Sequence, residues 1–172
     1  MQVQHQYEIG FTIVSMNLQL REYQPDDFDP VTRLWRRARE VSLPEFQRAK
    51  GYPFEMDCAY FRDHILTENH VWVAEADGRP VAFLAIKDDF IDFLYVDPDV
   101  WRVGVGQALL AHARSLSPER LRLFTLQINL PARAFYEKNG FKAIKWGISP
   151  PPENEPDVEY LWLATENPIS SL

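Results

Sequence analysis

Among 172 residues there is a single cysteine, Cys58, so no intramolecular disulfide can form and a thiol-rich metal site is excluded. Cys58 falls in an apolar helical pattern with Phe54, Phe61 and Ile65 and reads as a buried structural thiol. The four histidines are scattered, with no H-x-x-x-H or H-x-H pair, and no metal is expected. No apolar run approaches the roughly 20 residues that span a bilayer, so no membrane partner is expected. The opening stretch MQVQHQYEIGFTIVSM has neither a basic region nor a continuous apolar core, which reads as no signal peptide and a cytoplasmic protein. Bases are also in deficit, 18 Lys and Arg against 25 Asp and Glu for a net charge of −7. That argues against nucleic acid as a main partner. It fits a cationic acceptor, and equally a charge that only keeps the protein soluble.

Glycine is sparse, at seven residues, and two stand close together in Trp101-Arg102-Val103-Gly104-Val105-Gly106-Gln107. A strand-like run, Phe90 to Val96, ends before them at Asp97-Pro98. A helical stripe of Val105, Ala108, Leu109, His112, Ala113 and Leu116 follows and stops at Ser117-Pro118. The pattern is strand, glycine turn, helix N-terminus. Unpaired N–H groups and the positive end of the helix dipole meet there, so an anion such as a phosphate is favoured. The two glycines would let the backbone approach it and adopt φ > 0. A dinucleotide-binding turn needs a third glycine and an acid on the next strand, and a Walker loop needs Gly-Lys-Ser/Thr. The chain has neither.

The stretch Leu94-Tyr95-Val96-Asp97-Pro98, then Trp101-x-x-Gly104-x-Gly106 and Ala108-Leu109-Leu110, resembles the acyl-CoA-binding motif of the GNAT superfamily of N-acetyltransferases. One strand later, Asn129-x-x-Ala132-x-x-Phe135-Tyr136-Glu137-Lys138-x-Gly140-Phe141 is similar to that family's second signature. The resemblance covers residues 17 to 165, closely in 91 to 141. It implies acetyl-CoA as co-substrate, an amine as acceptor, and an oligomeric state of monomer or homodimer. One departure is Trp101, where the family usually has Gln or Arg. That substitution removes a side-chain contact to the pyrophosphate and leaves the backbone N–H groups and Arg102.

The remaining pattern fits one α/β domain over 16–172, after a 1–15 extension that reads as disordered, as an extra strand or as a dimer arm. Strands are predicted at Leu18 to Tyr23, Val71 to Ala76, Pro80 to Lys87, Phe90 to Val96, Leu121 to Ile128, Phe141 to Trp146 and Val158 to Ala164. Helices are predicted at Pro30 to Val41, Glu55 to Leu66, Val105 to Leu116 and Pro131 to Asn139. In the first, Val31, Leu34, Trp35, Ala38 and Val41 make the apolar stripe, while Arg33, Arg36, Arg37 and Arg39 read as a solvated face. Ser42 to Pro53 is broken by Pro44, Gly51 and Pro53. About seven strands and four helices in this order give a mixed, mostly antiparallel sheet with helices on both faces. The resemblance adds a V-shaped splay for the acyl-CoA.

It also implies roles. Arg102, Val103, Gly104, Val105, Gly106 and Gln107 would hold the pyrophosphate. Backbone at Leu94, Tyr95 and Val96 would hold the pantetheine arm, with Asn129, Ala132 and Arg133 from the second signature. Tyr136 matches the general acid beside the thioester sulfur, and a phenol with a pKa of about 10 keeps its proton at neutral pH. The plainer reading is a packing aromatic. Asp92 is the candidate base on the alternating strand, sharing a face with Leu94 and Val96, with a water chain as the rival. Acceptor choice would fall to Ser42 to Phe54 and Gly147 to Asp157. The acids Glu153, Glu155, Asp157 and Glu159 either attract a cationic amine or form a solvated loop. A non-catalytic acyl-CoA-binding or interaction module on the same fold is the alternative, suggested by Trp101 and by Phe90, where some family members carry an acid.

Overall fold

The structure, a computed structural model, describes residues 2–9, 12–151 and 153–166. Its strands are β1 Gln2–Ile9, β2 Thr12–Glu22, β3 His70–Ala76, β4 Arg79–Lys87, β5 Phe90–Val96, β6 Arg120–Leu126, β7 Lys142–Ile148 and β8 Pro156–Leu163. They form one sheet in the order β1-β2-β3-β4-β5-β6-β8-β7, and only β5 and β6 run parallel. The seven predicted strands are β2 to β8. An eighth, β1, is antiparallel to β2, with Gln2 opposite Gln19 and Ile9 opposite Thr12.

The helices are α1 Phe28–Ser42, α2 Pro44–Lys50, α3 Phe54–Tyr60, α4 Leu66–Glu68, α5 Val105–Leu116 and α6 Leu130–Lys138. A π-helical turn, Phe61–Ile65, joins α3 to α4. The sequence treats Ser42 to Pro53 as broken, yet α2 forms inside it. Pro44 sits in its first turn, where no N–H is needed, and Gly51 ends it at φ 62°.

Helices cover both faces because neighbouring strand residues alternate between two cores. Leu84, Ile91, Leu94 and Val96 pack under α5 with Leu109, Leu110 and Leu121. Phe83, Ala85, Phe93 and Tyr95 pack on the other side with Val31, Trp35 and Phe61. The α1 stripe holds for Val31, Leu34, Trp35 and Ala38, but Val41 is exposed, as is Leu116 at the end of α5. Cys58 is half-buried rather than buried.

The α1 arginines are not one solvated face. Asp57 on α3 is buried, and Arg36 Nη1 and Arg39 Nη2 reach its two oxygens at 2.8 and 2.6 Å. Arg37 forks onto Asp97 and Asp99, with bonds of 2.7 Å to each. Arg33, paired with Asp29 one turn away, and Arg37 stay at the surface.

Candidate active site

The site begins where the sheet fails to continue. β5 and β6 pair only at Phe90 with Arg122 and Ile91 with Leu123, and among the described residues no pair follows. Beyond Ile91 the two strands part, so that edge of β5 faces a gap instead of a neighbour, and at its end the Val96 carbonyl takes its donor from Trp101. In a buried sheet the backbone groups of such an edge require partners from elsewhere. α6 lies beyond β6 and packs on β8, where the rings of Tyr136 and Tyr160 stand 6.2 Å apart.

Tyr136 is buried among Phe135, Phe141 and Tyr160. Burial pushes its phenol well above the ordinary value, and the Tyr95 phenol adds to the rise.

The glycine turn stands at the end of β5. Gly104 is the residue before α5 and has φ 91°, a left-handed conformation open to glycine at little cost. No side chain caps the helix and no acid lies in its first turn, so the first N–H groups and the positive dipole end are uncommitted. Gly106 has a different reason to be glycine. A Cβ there would stand 3.0 Å from the Phe135 ring, so its absence lets α6 approach α5. The expectation that both glycines supply φ > 0 is thus corrected, since only Gly104 does. Arg102 also adopts a positive φ, 64°, in the exposed turn, a conformation uncommon for a residue with a Cβ.

Trp101 occupies the position where the family usually has a pyrophosphate contact. Its indole Nε1–H donates to the Val96 carbonyl at 2.7 Å. The side chain therefore braces the end of β5. On the other flank, Asp97 accepts from the Asp99 N–H at 2.9 Å and from Arg37 at 2.7 Å. Sequence reasoning missed Arg37 because sixty positions separate it from Asp97 and no local pattern links them.

In the second signature, Asn129 Oδ1 accepts the Ala132 N–H at 3.3 Å and caps α6. Its Nδ2 remains available to donate, and Ala132 packs against the α5-side core. Arg133 is committed internally: it donates to the Tyr160 hydroxyl and the Gln127 carbonyl, each at 3.2 Å, and lies over Trp146.

Asp92 is not where strict alternation puts it. The β4–β5 register slips, with Ala85 opposite Phe93 but Ile86 opposite Ile91, so Asp92 is the extra residue of a bulge. The bulge turns it away from Leu94 and Val96 toward α4, where Asn69 Nδ2 donates to its carboxylate at 3.0 Å. Packing around the carboxylate raises its pKa, the Asn69 bond opposes this, and the charge of Glu68 adds to the rise. Tyr60 of α3, missed in the sequence, stands beside it and feels its charge. The two segments expected to shape acceptor choice do meet: Lys50 at the end of α2 donates to the Glu153 carbonyl at 2.7 Å and pairs with Glu155 at 3.0 Å.

Known proteins carry the same arrangement. Residues 67–143 match a family model described as an acetyltransferase (GNAT) domain, a span that holds both splayed strands, the Gly104 turn and Tyr136. The N-acetyltransferase YafP of Escherichia coli (strain K12) is 30% identical over 132 residues, 75% of this chain and 84% of that protein. The chain belongs to the GNAT family. It is therefore an N-acetyltransferase, which places the catalytic reading above the binding-module alternative. Other GNAT relatives agree. The peptidyl-lysine N-acetyltransferase YjaB of Salmonella typhimurium is 30% identical over 128 residues, 74% of this chain and 85% of the relative. The solution structure of apo YjaB from Escherichia coli superposes with a TM-score of 0.72 at 25% identity, covering 86% of this chain and 98% of that one. The crystal structure of the PaiA N-acetyltransferase from Thermoplasma acidophilum in complex with coenzyme A shares the fold, with a TM-score of 0.64, 20% identity, and coverage of 86% of this chain and 99% of that one.

Proposed function

We propose that the enzyme transfers an acetyl group from acetyl-CoA to a primary amine by direct attack, without a covalent enzyme intermediate. The observation that carries this reading is the gap between β5 and β6, which leaves strand backbone unpaired between the uncapped N-terminus of α5 and the buried Tyr136. Three features of the chain fit the co-substrate: a positive-φ glycine before a helix with no acid in its first turn, a strand edge that has parted from its neighbour, and a phenol kept protonated by burial. Acetyl-CoA supplies the activated thioester carbonyl.

The chain's own residues do the rest. N–H groups from Arg102 through Val103, Gly104, Val105 and Gly106 to Gln107 hold the diphosphate. Backbone at Leu94, Tyr95 and Val96 aligns the pantetheine arm, and Asn129 Nδ2 donates to one of its amides. Tyr136 gives its proton to the departing sulfur. The same desolvation that raises the phenol pKa also raises that of a thiol beside it, so the transfer stays feasible although the phenol is the weaker acid in water. Asp92 accepts one proton of the incoming ammonium, its raised pKa narrowing the gap to an alkylamine, and the second proton, shed by the nitrogen as the amide forms, restores the Tyr136 phenol by way of solvent. A peptide lysine is one acceptor this reading admits, supported by the likeness to the peptidyl-lysine N-acetyltransferase YjaB. The same reading takes the enzyme to be cytoplasmic and metal-independent.

Calorimetric titration with acetyl-CoA tests the donor half. Wild type should bind, and Gly104→Glu, which puts a carboxylate at the anion site on a positive-φ backbone, should not. For the acid, Tyr136→Phe should bind acetyl-CoA as wild type does but turn over about 10²–10⁴-fold more slowly. A normal rate of amine-dependent thiol release in that variant would remove Tyr136 from the role.

A further inference from the structure

Two irregularities of the chain meet at one side chain. The helical run from α3 to α4 widens into the π-helical turn Phe61–Ile65, and β5 carries the bulge that takes Asp92 out of the strand alternation. Such irregularities re-aim side chains and recur at functional sites. Asn69 stands between the two, as the residue after α4 and directly before β3. Its backbone N–H and its Nδ2 both donate to the Ile65 carbonyl, each at 3.2 Å, and Nδ2 also donates to Asp92 Oδ2 at 3.0 Å. Ile65 is buried, so the amide is fastened to the core.

The orientation of that amide follows from its partners. Its nitrogen meets two acceptors, a carbonyl and a carboxylate, and a turned amide would set oxygen against both. The arrangement has a cost, because Asn69 Oδ1 is buried with no hydrogen-bond partner among the described residues. An unpaired buried acceptor disfavours the fold, and an apolar side chain of the same size would leave none. The bond secured at that cost goes to a group open to solvent: Asp92 is exposed, whereas Asn69 is half-buried. One carboxylate oxygen is thus anchored from the protein side. The other, Oδ1, has no hydrogen bond or ion pair among the described residues. The charged groups around the pair are Glu68 of α4 and Lys87 of β4, and the Tyr60 phenol of α3 feels the Asp92 charge.

We infer that Asn69 is a positioning residue, which fixes one oxygen of the Asp92 carboxylate so that the other is presented to the incoming ammonium. The inference rests on the reading of Asp92 as base and supplies what that role lacks on an exposed bulge, a fixed aim. Without the bond the carboxylate would turn freely about its side-chain torsions, and a displacement of about 1 Å can cost about 10²-fold in rate. Donation to the charged form also favours that form, against the effects of packing and of Glu68.

Asn69→Leu keeps the side chain's size and removes the donor. By NMR titration of the full chain, with the Asp92 carboxyl assigned by its disappearance in Asp92→Asn, the acid dissociation constant of that carboxyl should fall about tenfold in the variant, the loss of one hydrogen bond to a charged group. An unmoved titration would overturn the inference. Turnover is read as acetylation of a lysine-containing peptide and of 1,4-diaminobutane. In Asn69→Leu, kcat at pH 7 should fall about tenfold and the acid limb of its pH profile should move to higher pH, while Kd for acetyl-CoA stays within about twofold. Placed on Asp92→Asn, the same substitution should cost no further turnover. A second tenfold loss in that double variant would show that Asn69 acts on the fold and not through Asp92, which also overturns the inference. Normal turnover in Asp92→Asn would instead sink the base role, and a wild type that acetylates neither amine would sink the acetyltransfer reading. Each failure is separable because the titration needs no acceptor.

Discussion

Asp92 shows how one residue's surroundings alter both its chemistry and its contribution to stability. Its carboxyl titrates above its ordinary value of 3.8 because packing and Glu68 disfavour the charge. A raised folded-state pKa means that stability is fully present below the unfolded value and is lost as pH rises through the folded one. At neutral pH the ionised carboxylate is a burden on the fold. Asp92→Asn, whose amide oxygen can still accept from Asn69, should therefore melt at a higher temperature than wild type at pH 7 while losing turnover. Below pH 3.8 the two should melt together, and thermal scans across that range would reveal a variant that is instead less stable. Tyr136 is perturbed in the same direction, so its titration should not limit the rate below the ordinary phenol range. An alkaline loss of activity below about pH 10 that disappears in Tyr136→Phe would contradict this.

At the start of α5 two glycines serve different ends: Gly104 takes a positive φ before the helix, and Gly106, in its first turn, makes room for α6. Gly106 is in contact range of the Phe135 ring on α6. Gly106→Ala should cost about 1–3 kcal/mol by overpacking, and Phe135→Leu in the same chain should restore part of it, a coupling that a double-mutant cycle would measure. If the two substitutions are simply additive, the contact is not the cause. Trp101 acts on the strand end: removing its bond to the Val96 carbonyl loosens the edge proposed to hold the pantetheine. Trp101→Phe should then weaken acetyl-CoA binding through a faster off-rate with little change in melting temperature.

At the scale of the molecule, the first core strand, the start of α1 and the central hairpin are tied by a single cation. Arg21 on β2 bonds both oxygens of buried Asp27 at 2.7 and 2.8 Å and reaches Glu75 on β3 at 2.8 Å. The Arg21 bond holds the Asp27 carboxyl below its ordinary value of 3.8, against the opposing effect of burial. A depressed pKa contributes stability that is present above the unfolded value and is lost as pH falls through the folded one. Acid unfolding should therefore be steep below pH 4. Asp27→Ala should cost about 2–4 kcal/mol at pH 7, since it strands a half-buried guanidinium, and should flatten the acid limb. An acid limb as steep as that of wild type would mean other carboxylates govern it.

Much of this was legible along the chain. Alternation and helical spacing placed β3 to β5, α1 and α5 nearly to the residue, because a side chain's face depends on a local period. The two signatures placed the glycine turn and Tyr136, since anion cradles and helix starts are built from consecutive residues. What depends on distant partners was not legible. The bulge that turns Asp92 toward Asn69 arises from the register of β4 against β5. The role of Gly106 depends on Phe135, and the solvated reading of Arg36 and Arg39 failed because their acid, Asp57, lies on another helix. Sequence determined which elements form and where a positive-φ glycine precedes an uncapped helix, both set by neighbours in the chain. Tertiary structure alone decided which carboxylates are neutralised and which stay free, because a charge's partner is chosen by proximity in space.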